Sequence, residues 1–224
     1  MSDPIVLTLL FVGAYLLGSI PFGLLVARAK GIDLTKVGSG NVGATNVNRA
    51  LGKEWGIATF IMDMVKGFLP TLVARMLIKD PVGGFDPQAL WLLVGMTAVF
   101  GHAKSIFWGF KGGKGISTSM GVCLAATPLV AIACFSLFVV VLALTRYMSI
   151  ASMVAVPASV PFTWLFPNHS PQLLPLYGVL SVAVVVLHRK NIQRLREGME
   201  PKFRFESKKS RLDQPAEPPP TGGA

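Results

Sequence analysis

Residues 116–145 read ISTSMGVCLAATPLVAIACFSLFVVVLALT, an apolar run without one charged side chain. A helix crosses the ~30 Å hydrocarbon core of a bilayer in about 20 residues, so this run is too long for one ordinary crossing. Pro128 divides it, because proline lacks a backbone N–H and clashes with the turn before it. The reading is two segments, the first (about residues 114–127) short enough to be a partial or re-entrant helix. Further apolar runs cover residues 4–29, 55–78, 88–107, 150–166 and 173–187. The expectation is an all-α integral membrane protein with seven transmembrane helices, one of them short, in a single domain over residues 1–205.

Composition agrees. The chain of 224 residues is 52% hydrophobic and 14% charged, with mean hydropathy +0.57, against roughly 25% charge in soluble domains. Orientation follows from lysine and arginine. With the first loop inside, the inside loops and tail hold Arg28, Lys30, Lys36, Arg49 and Lys53, then Lys104, Lys111 and Lys114, then Arg146, and finally nine from Arg189 to Arg211. Only Lys66, Arg75 and Lys79 of the 21 fall elsewhere. The positive-inside rule then puts the N-terminus outside and the C-terminus in the cytoplasm. Five crossings with a re-entrant pair around Pro128 would orient both ends the same way.

The net charge of +10 therefore reports topology and attraction to anionic lipid, and no nucleic-acid partner is expected. Met1-Ser2-Asp3-Pro4 lacks the basic n-region of a cleaved signal peptide. Cys123 and Cys134 lie in apolar segments without metal-ligand spacing and read as packing residues. Residues 206–224, polar and rich in Pro and Gly, read as a disordered cytoplasmic tail. No internal repeat is detectable.

Two loops interrupt this apolar chain. The first, Gly38-Ser39-Gly40-Asn41-Val42-Gly43-Ala44-Thr45-Asn46, formally matches the dinucleotide fingerprint G-x-G-x-x-G/A. That reading needs a buried strand before, an amphipathic helix after and an acid about 20 residues on. Here a membrane segment precedes, Thr45–Arg49 follows, and the acid, Asp63, falls inside the next span. What remains is phosphate chemistry without a nucleotide fold. Glycines let backbone N–H groups converge, Ser39, Asn41, Thr45 and Asn46 supply neutral donors, and Arg49 offers a planar fork.

The second loop, Phe110-Lys111-Gly112-Gly113-Lys114-Gly115, superficially matches a Walker A sequence but has Gly115 where Ser or Thr should follow Gly-Lys. It opens a helix, and a helix N-terminus with an adjacent lysine favours an anion.

Three other spots carry polar chemistry. Asp63 and Lys66, three apart on one helix face, are charges in mid-span and must point into the bundle, as a buried structural pair or as catalytic groups. His188 and Asn191 share a face with Leu195 if the last segment continues as helix, whereas His102 and His169 lack comparable company. Ser149 and Ser152 can present hydroxyls on one face of the sixth segment, or serve only as small packing residues. The acids near the loops are Glu54, Asp63 and Glu197. Paired carboxylates, a metal cluster, a G-x-S-x-G turn and a His-x-x-x-x-Asp motif are all missing from the sequence. Any reaction must then rely on positioning and anion stabilisation of a substrate that arrives activated.

Together G-S-G-N-V-G-A-T-N-V-x-R (Gly38 to Arg49), F-K-G-G-K-G (Phe110 to Gly115) and H-R-x-N-I-x-R-L-x-x-G-x-E (His188 to Glu200) resemble the bacterial acyl-phosphate-dependent glycerol-3-phosphate acyltransferases, the PlsY family. The resemblance runs in order over nearly the whole chain. It implies a seven-helix enzyme of the cytoplasmic (inner) membrane, active at the cytoplasmic face. That enzyme transfers a fatty acyl group from acyl phosphate to the 1-hydroxyl of glycerol 3-phosphate, giving lysophosphatidic acid and inorganic phosphate. Acyl-CoA and acyl carrier protein are not expected as donors, and no metal or cofactor is.

The implied catalytic set is Ser39, Asn41, Lys114, His188 and Asn191. The implied substrate-binding set is Gly40, Arg49, Lys66, Gly112, Gly113, Ser149 and Ser152. Ser39, Gly40 and Asn41 would hold the acyl phosphate head. Lys114, Arg49, Asn191, His188 and one of the two serines would grip glycerol 3-phosphate, with Lys66 helping from inside the bundle. The proton of the attacking hydroxyl goes to His188 or to a substrate phosphate oxygen. The competing reading of the same residues is a membrane transporter of phosphate esters or lipid headgroups.

Overall fold

The computed structural model describes residues 4–203, and the expected disordered tail lies outside them. Every apolar run is helical. The first forms α1 (Pro4–Ser19) and α2 (Phe22–Ala29), followed by a short α3 (Ala44–Leu51) and the long α4 (Lys53–Leu77). Then come α5 (Pro87–Ala103), α6 (Ile116–Ala126) and α7 (Pro128–Thr145). The chain closes with α8 (Met148–Ala155), α9 (Ser159–Leu165), α10 (Leu173–Leu187) and α11 (Arg189–Arg196). Among the described residues four helical stretches, Pro4–Ala29, Lys53–Leu77, Pro128–Thr145 and Met148–Leu165, are long and apolar enough to cross a membrane. Leu173–Leu187 with its bent continuation makes a fifth. The 17-residue α5 and the 11-residue α6 are shorter.

The break at Pro128 lies where the sequence puts it, with Pro128 opening α7 and Thr127 ending α6. A second break, at Ile20-Pro21, divides the first apolar run and follows from the same proline rule. Each break frees carbonyls inside an apolar layer, where an unmet acceptor costs several kcal/mol. Lys66 Nζ donates to Ile20 O at 2.8 Å and Ser105 Oγ to Ser19 O at 2.5 Å. At the end of α6, Arg75 Nη1 donates to Ala125 O at 2.9 Å. Lys79 Nζ likewise donates to Arg75 O, in the last turn of α4, at 2.8 Å, so Lys66, Arg75 and Lys79 each serve a helix-end carbonyl.

α4 is the hub, packed on α1, α3, α5 and α6. Its approach to α6 is backbone-close. A Cβ on Gly121 would sit 1.9 Å from Met64 O, and one on Gly67 would sit 2.2 Å from Thr118 O. Small residues at such a seam let two helices gain dispersion contacts that lipid would otherwise supply. This contact fixes where α6, and hence the loop before it, stands. Outward faces are apolar, as with Met76, Leu144 and Trp164, consistent with a lipid solvent.

One sequence expectation is corrected. The first glycine loop does lead into an amphipathic helix, α3, which buries Val47 and Asn46. No strand precedes it among the described residues, so the dinucleotide reading still fails.

Candidate active site

The first loop is built around Asn46. Its Oδ1 accepts from Ser39 N at 3.0 Å, and its Nδ2 donates to Leu34 O at 3.2 Å and Val37 O at 2.9 Å. Gly38 and Gly40 turn the chain with φ of +58° and +66°, a region costly for residues with a Cβ. Asn46 is therefore a clamp with its amide fully used, rather than a donor to substrate. Gly40 shapes the turn without lining the cavity. Beyond Gly43 the free N–H groups at the start of α3 face the same space as Ser39, Asn41, Thr45 and Arg49.

That space is a cavity of about 270 Å³. Its second wall is the start of α6, with Lys114, Gly115, Ile116 and Ser117; its third comprises Ser149, Ser152, His188 and Asn191. Of the twelve residues implied by the resemblance, Ser39, Asn41, Arg49, Lys114, Ser149, Ser152, His188 and Asn191 meet here. Lys66 does not line it. It is 2% exposed and held by Asp63 Oδ1 at 2.9 Å as well as by Ile20 O. Gly112 and Gly113 instead pack on His102, whose carbonyl accepts from Gly113 N at 3.1 Å.

The helix expected to continue through His188 bends there by 53°. His188 and Asn191 still converge, because Asn191 N bonds His188 O in the first turn of α11. Lys114 Nζ donates to Asn191 Oδ1 at 2.5 Å, and Asn191 Nδ2 donates to Glu200 Oε1 at 2.7 Å. Glu200 Oε1 also accepts from Ser149 Oγ at 2.7 Å, and Oε2 from Arg194 Nε at 2.8 Å. The two serines thus separate: Ser149 joins the network, while Ser152 Oγ bonds Met148 O in its own helix. Residues 199–203 strap this side of the cavity, with Arg49 Nη2 on Pro201 O at 3.4 Å and Phe203 N on Arg146 O at 2.6 Å.

Electrostatics set the protonation. Burial pulls the Lys114 ammonium from its usual 10.5 to about 8. Glu200 opposes this fall, and the positive charges of Arg194 and Arg49 deepen it. No carboxylate lies within 4 Å of Lys114 among the described residues. His188 is pushed down to about 4, chiefly by burial and then by Lys114. It is neutral at pH 7. Its Nδ1 lies 2.8 Å from Val184 O; a carbonyl only accepts, so Nδ1 carries the proton and Nε2 keeps its lone pair. For Glu200, hydrogen bonds from Asn191, Ser149 and Arg194 outweigh burial and hold its carboxyl below the usual value.

The polar cavity opens into an apolar groove of about 70 Å³ between α6, α7 and α8, lined by Met120, Cys123, Ala131, Cys134, Phe135 and Val156 among others. Phe60, Ile116, Phe138 and Ser152 belong to both walls. The space as a whole suits an amphiphile with an anionic head. Among the described residues no group of three or more His, Cys, Asp or Glu is placed to hold a metal.

Sequence reasoning passed over Glu200 and His102. Glu200 closes the third motif but was given no role, since its partners Ser149 and Arg194 meet it only in the fold. His102 lies beside Asp63, at 3.6 Å between Nδ1 and Oδ1, an adjacency between two helices that spacing along one chain does not reveal.

Comparison with known proteins points one way. A family model described as glycerol-3-phosphate acyltransferase matches residues 8–198. The glycerol-3-phosphate acyltransferase of Geobacter sulfurreducens is 47% identical over 192 residues, covering 85% of this chain and 94% of that one. That of Aquifex aeolicus is 44% identical over 195 residues, covering 87% and 97%. A crystal structure of PlsY, an integral membrane glycerol 3-phosphate acyltransferase, in its glycerol 3-phosphate form superposes with TM-score 0.82 at 39% identity, covering 93% of this chain and 99% of that one. The lysophosphatidic acid form gives 0.78 at 39% identity, covering 88% and 95%.

Proposed function

This chain belongs to the glycerol-3-phosphate acyltransferase family, and from that premise we propose how its cavity divides the work of the reaction. The enzyme acylates glycerol 3-phosphate to lysophosphatidic acid, a step of phospholipid synthesis. The donor is a fatty acyl phosphate. The observation carrying this is the continuity of a cationic, donor-rich cavity with an apolar groove through Phe60, Ile116, Phe138 and Ser152. The chain lies in the groove, and its phosphate meets Ser39, Asn41 and the N–H groups opening α3. A cavity of about 270 Å³ favours two phosphate-sized heads and a three-carbon acceptor over the bulk of a CoA head.

Lys114, Arg49 and Asn191 grip the phosphate of glycerol 3-phosphate, with Ser149 beside them. The 1-hydroxyl oxygen attacks the acyl carbonyl, the bond from that carbonyl to phosphate breaks, and inorganic phosphate leaves. A mixed anhydride needs neither a covalent enzyme intermediate nor a metal for this step. The hydroxyl proton passes to an oxygen of the departing phosphate, because His188, held near pKa 4, is a weak base at neutral pH. The positive electrostatics of the cavity stabilise the charge developing on phosphate.

The distribution of Lys and Arg supports a cytoplasmic site with the N-terminus outside and the C-terminus inside, the apolar runs support seven membrane segments, and the bacterial relatives support an inner membrane. The decisive experiment gives purified protein glycerol 3-phosphate with either palmitoyl phosphate or palmitoyl-CoA, and measures phosphate release and lysophosphatidic acid. Product from the acyl phosphate alone is expected. No product from it overturns the donor assignment.

A further inference from the structure

His102 is buried, 8% exposed, and lies on the wall of the main cavity with Asp63 and Lys114. Its Nδ1 makes no hydrogen bond and faces Asp63 Oδ1 at 3.6 Å. A carboxylate on that side favours the tautomer with the proton on Nδ1, which leaves a lone pair on Nε2. Asp63 is itself fixed by Lys66, so the ring has a rigid backing. The other side is the Gly112-Gly113 turn. A Cβ on Gly113 would lie 2.2 Å from His102 Nε2, so any side chain there would cover that nitrogen. Gly113 lacks the positive φ that explains Gly38 and Gly40; its want of a side chain is explained instead by Nε2.

Most groups around the cavity are donors or cations suited to phosphate. An acceptor nitrogen among them suits the other half of the acceptor molecule. Resting on the function proposed above, we infer that His102 is a further substrate-contacting residue, whose Nε2 accepts a hydrogen bond from a hydroxyl of glycerol 3-phosphate. Asp63 acts through it as a positioning residue, and Gly113 keeps the nitrogen uncovered.

The test uses n-propyl phosphate, which keeps the three carbons and the phosphate but has no hydroxyl, as a competitive inhibitor. His102→Phe keeps ring volume and removes both nitrogens. It should raise KM for glycerol 3-phosphate roughly three- to tenfold, the range of a single neutral hydrogen bond, and leave the Ki of propyl phosphate within about twofold. Gly113→Ala should give the same selective loss by covering Nε2, and serves if the first variant does not fold. An equal weakening of both ligands would mean that His102 only shapes the loop, and would overturn the inference. So would no weakening of either. A wild-type enzyme that forms no lysophosphatidic acid would instead remove the functional reading itself.

Discussion

Lys114→Met should separate stability from activity. The ammonium falls from 10.5 to about 8 on folding, which at ~1.4 kcal/mol per tenfold change corresponds to a folding cost of about 3 kcal/mol at neutral pH. Methionine keeps the stem and removes that cost. It also removes the hydrogen bond to Asn191 Oδ1 at 2.5 Å, a charged contact of about 1.5–3 kcal/mol. The two nearly cancel, so the variant should unfold in detergent within about 1.5 kcal/mol of the wild type. Turnover should not be spared. Loss of a charge-assisted phosphate contact of about 1.5–3 kcal/mol lowers kcat/KM for glycerol 3-phosphate by roughly 10- to 150-fold.

The pH dependence supplies a sign. Between about pH 8 and 10.5 the unfolded chain binds this proton and the folded chain does not, so wild-type stability rises with pH across that window. The variant should lack this rise. Parallel measurements of thermal unfolding against pH and of steady-state rates decide the matter. Wild-type kinetics in the variant, or an unaltered pH slope of stability, would refute the reasoning.

Further outcomes follow from the same geometry. Wild-type kcat/KM for glycerol 3-phosphate should fall as pH rises through about 8, where Lys114 loses its charge; Lys114→Arg should abolish that limb, measured at saturating acyl phosphate. Gly121→Ala places a methyl group 1.9 Å from Met64 O and should cost about 1–3 kcal/mol or more, read as a lower melting temperature with activity falling alongside as Lys114 shifts. Cys134→Trp fills the groove beside Phe135 and should depress turnover of a sixteen-carbon acyl phosphate far more than that of an eight-carbon one; an equal effect on both would place the chain elsewhere.

Much of this was legible from local rules. The division at Pro128, the two glycine loops and the pairing of Asp63 with Lys66 each depend on residues close in sequence. The break at Ile20-Pro21 obeys the same proline rule but was masked by apolar residues on both sides. Of the two roles open to Lys66, sequence could not choose, because its second partner, Ile20 O, lies in the distant break between α1 and α2. Arg75 likewise meets Ala125 O fifty residues away. Asn46 looked like one donor among several, and only the folded loop shows its amide consumed by Ser39, Leu34 and Val37. Buried hydrogen-bond partners distant in sequence are what local patterning does not encode.

The apolar groove reaches the outer surface of the bundle, since Phe135 both lines it and is 45% exposed. Drawing a sixteen-carbon tail from a bilayer into water costs about 11 kcal/mol at ~0.8 kcal/mol per methylene. A tail that slides sideways from lipid into this groove exchanges one hydrocarbon environment for another and meets little of that cost. Donor affinity then becomes a matter of lateral partition, governed by mole fraction in the membrane rather than by concentration in water. Each added methylene nearly cancels between the two phases, so selection among chain lengths is left to the groove's far end as a stop.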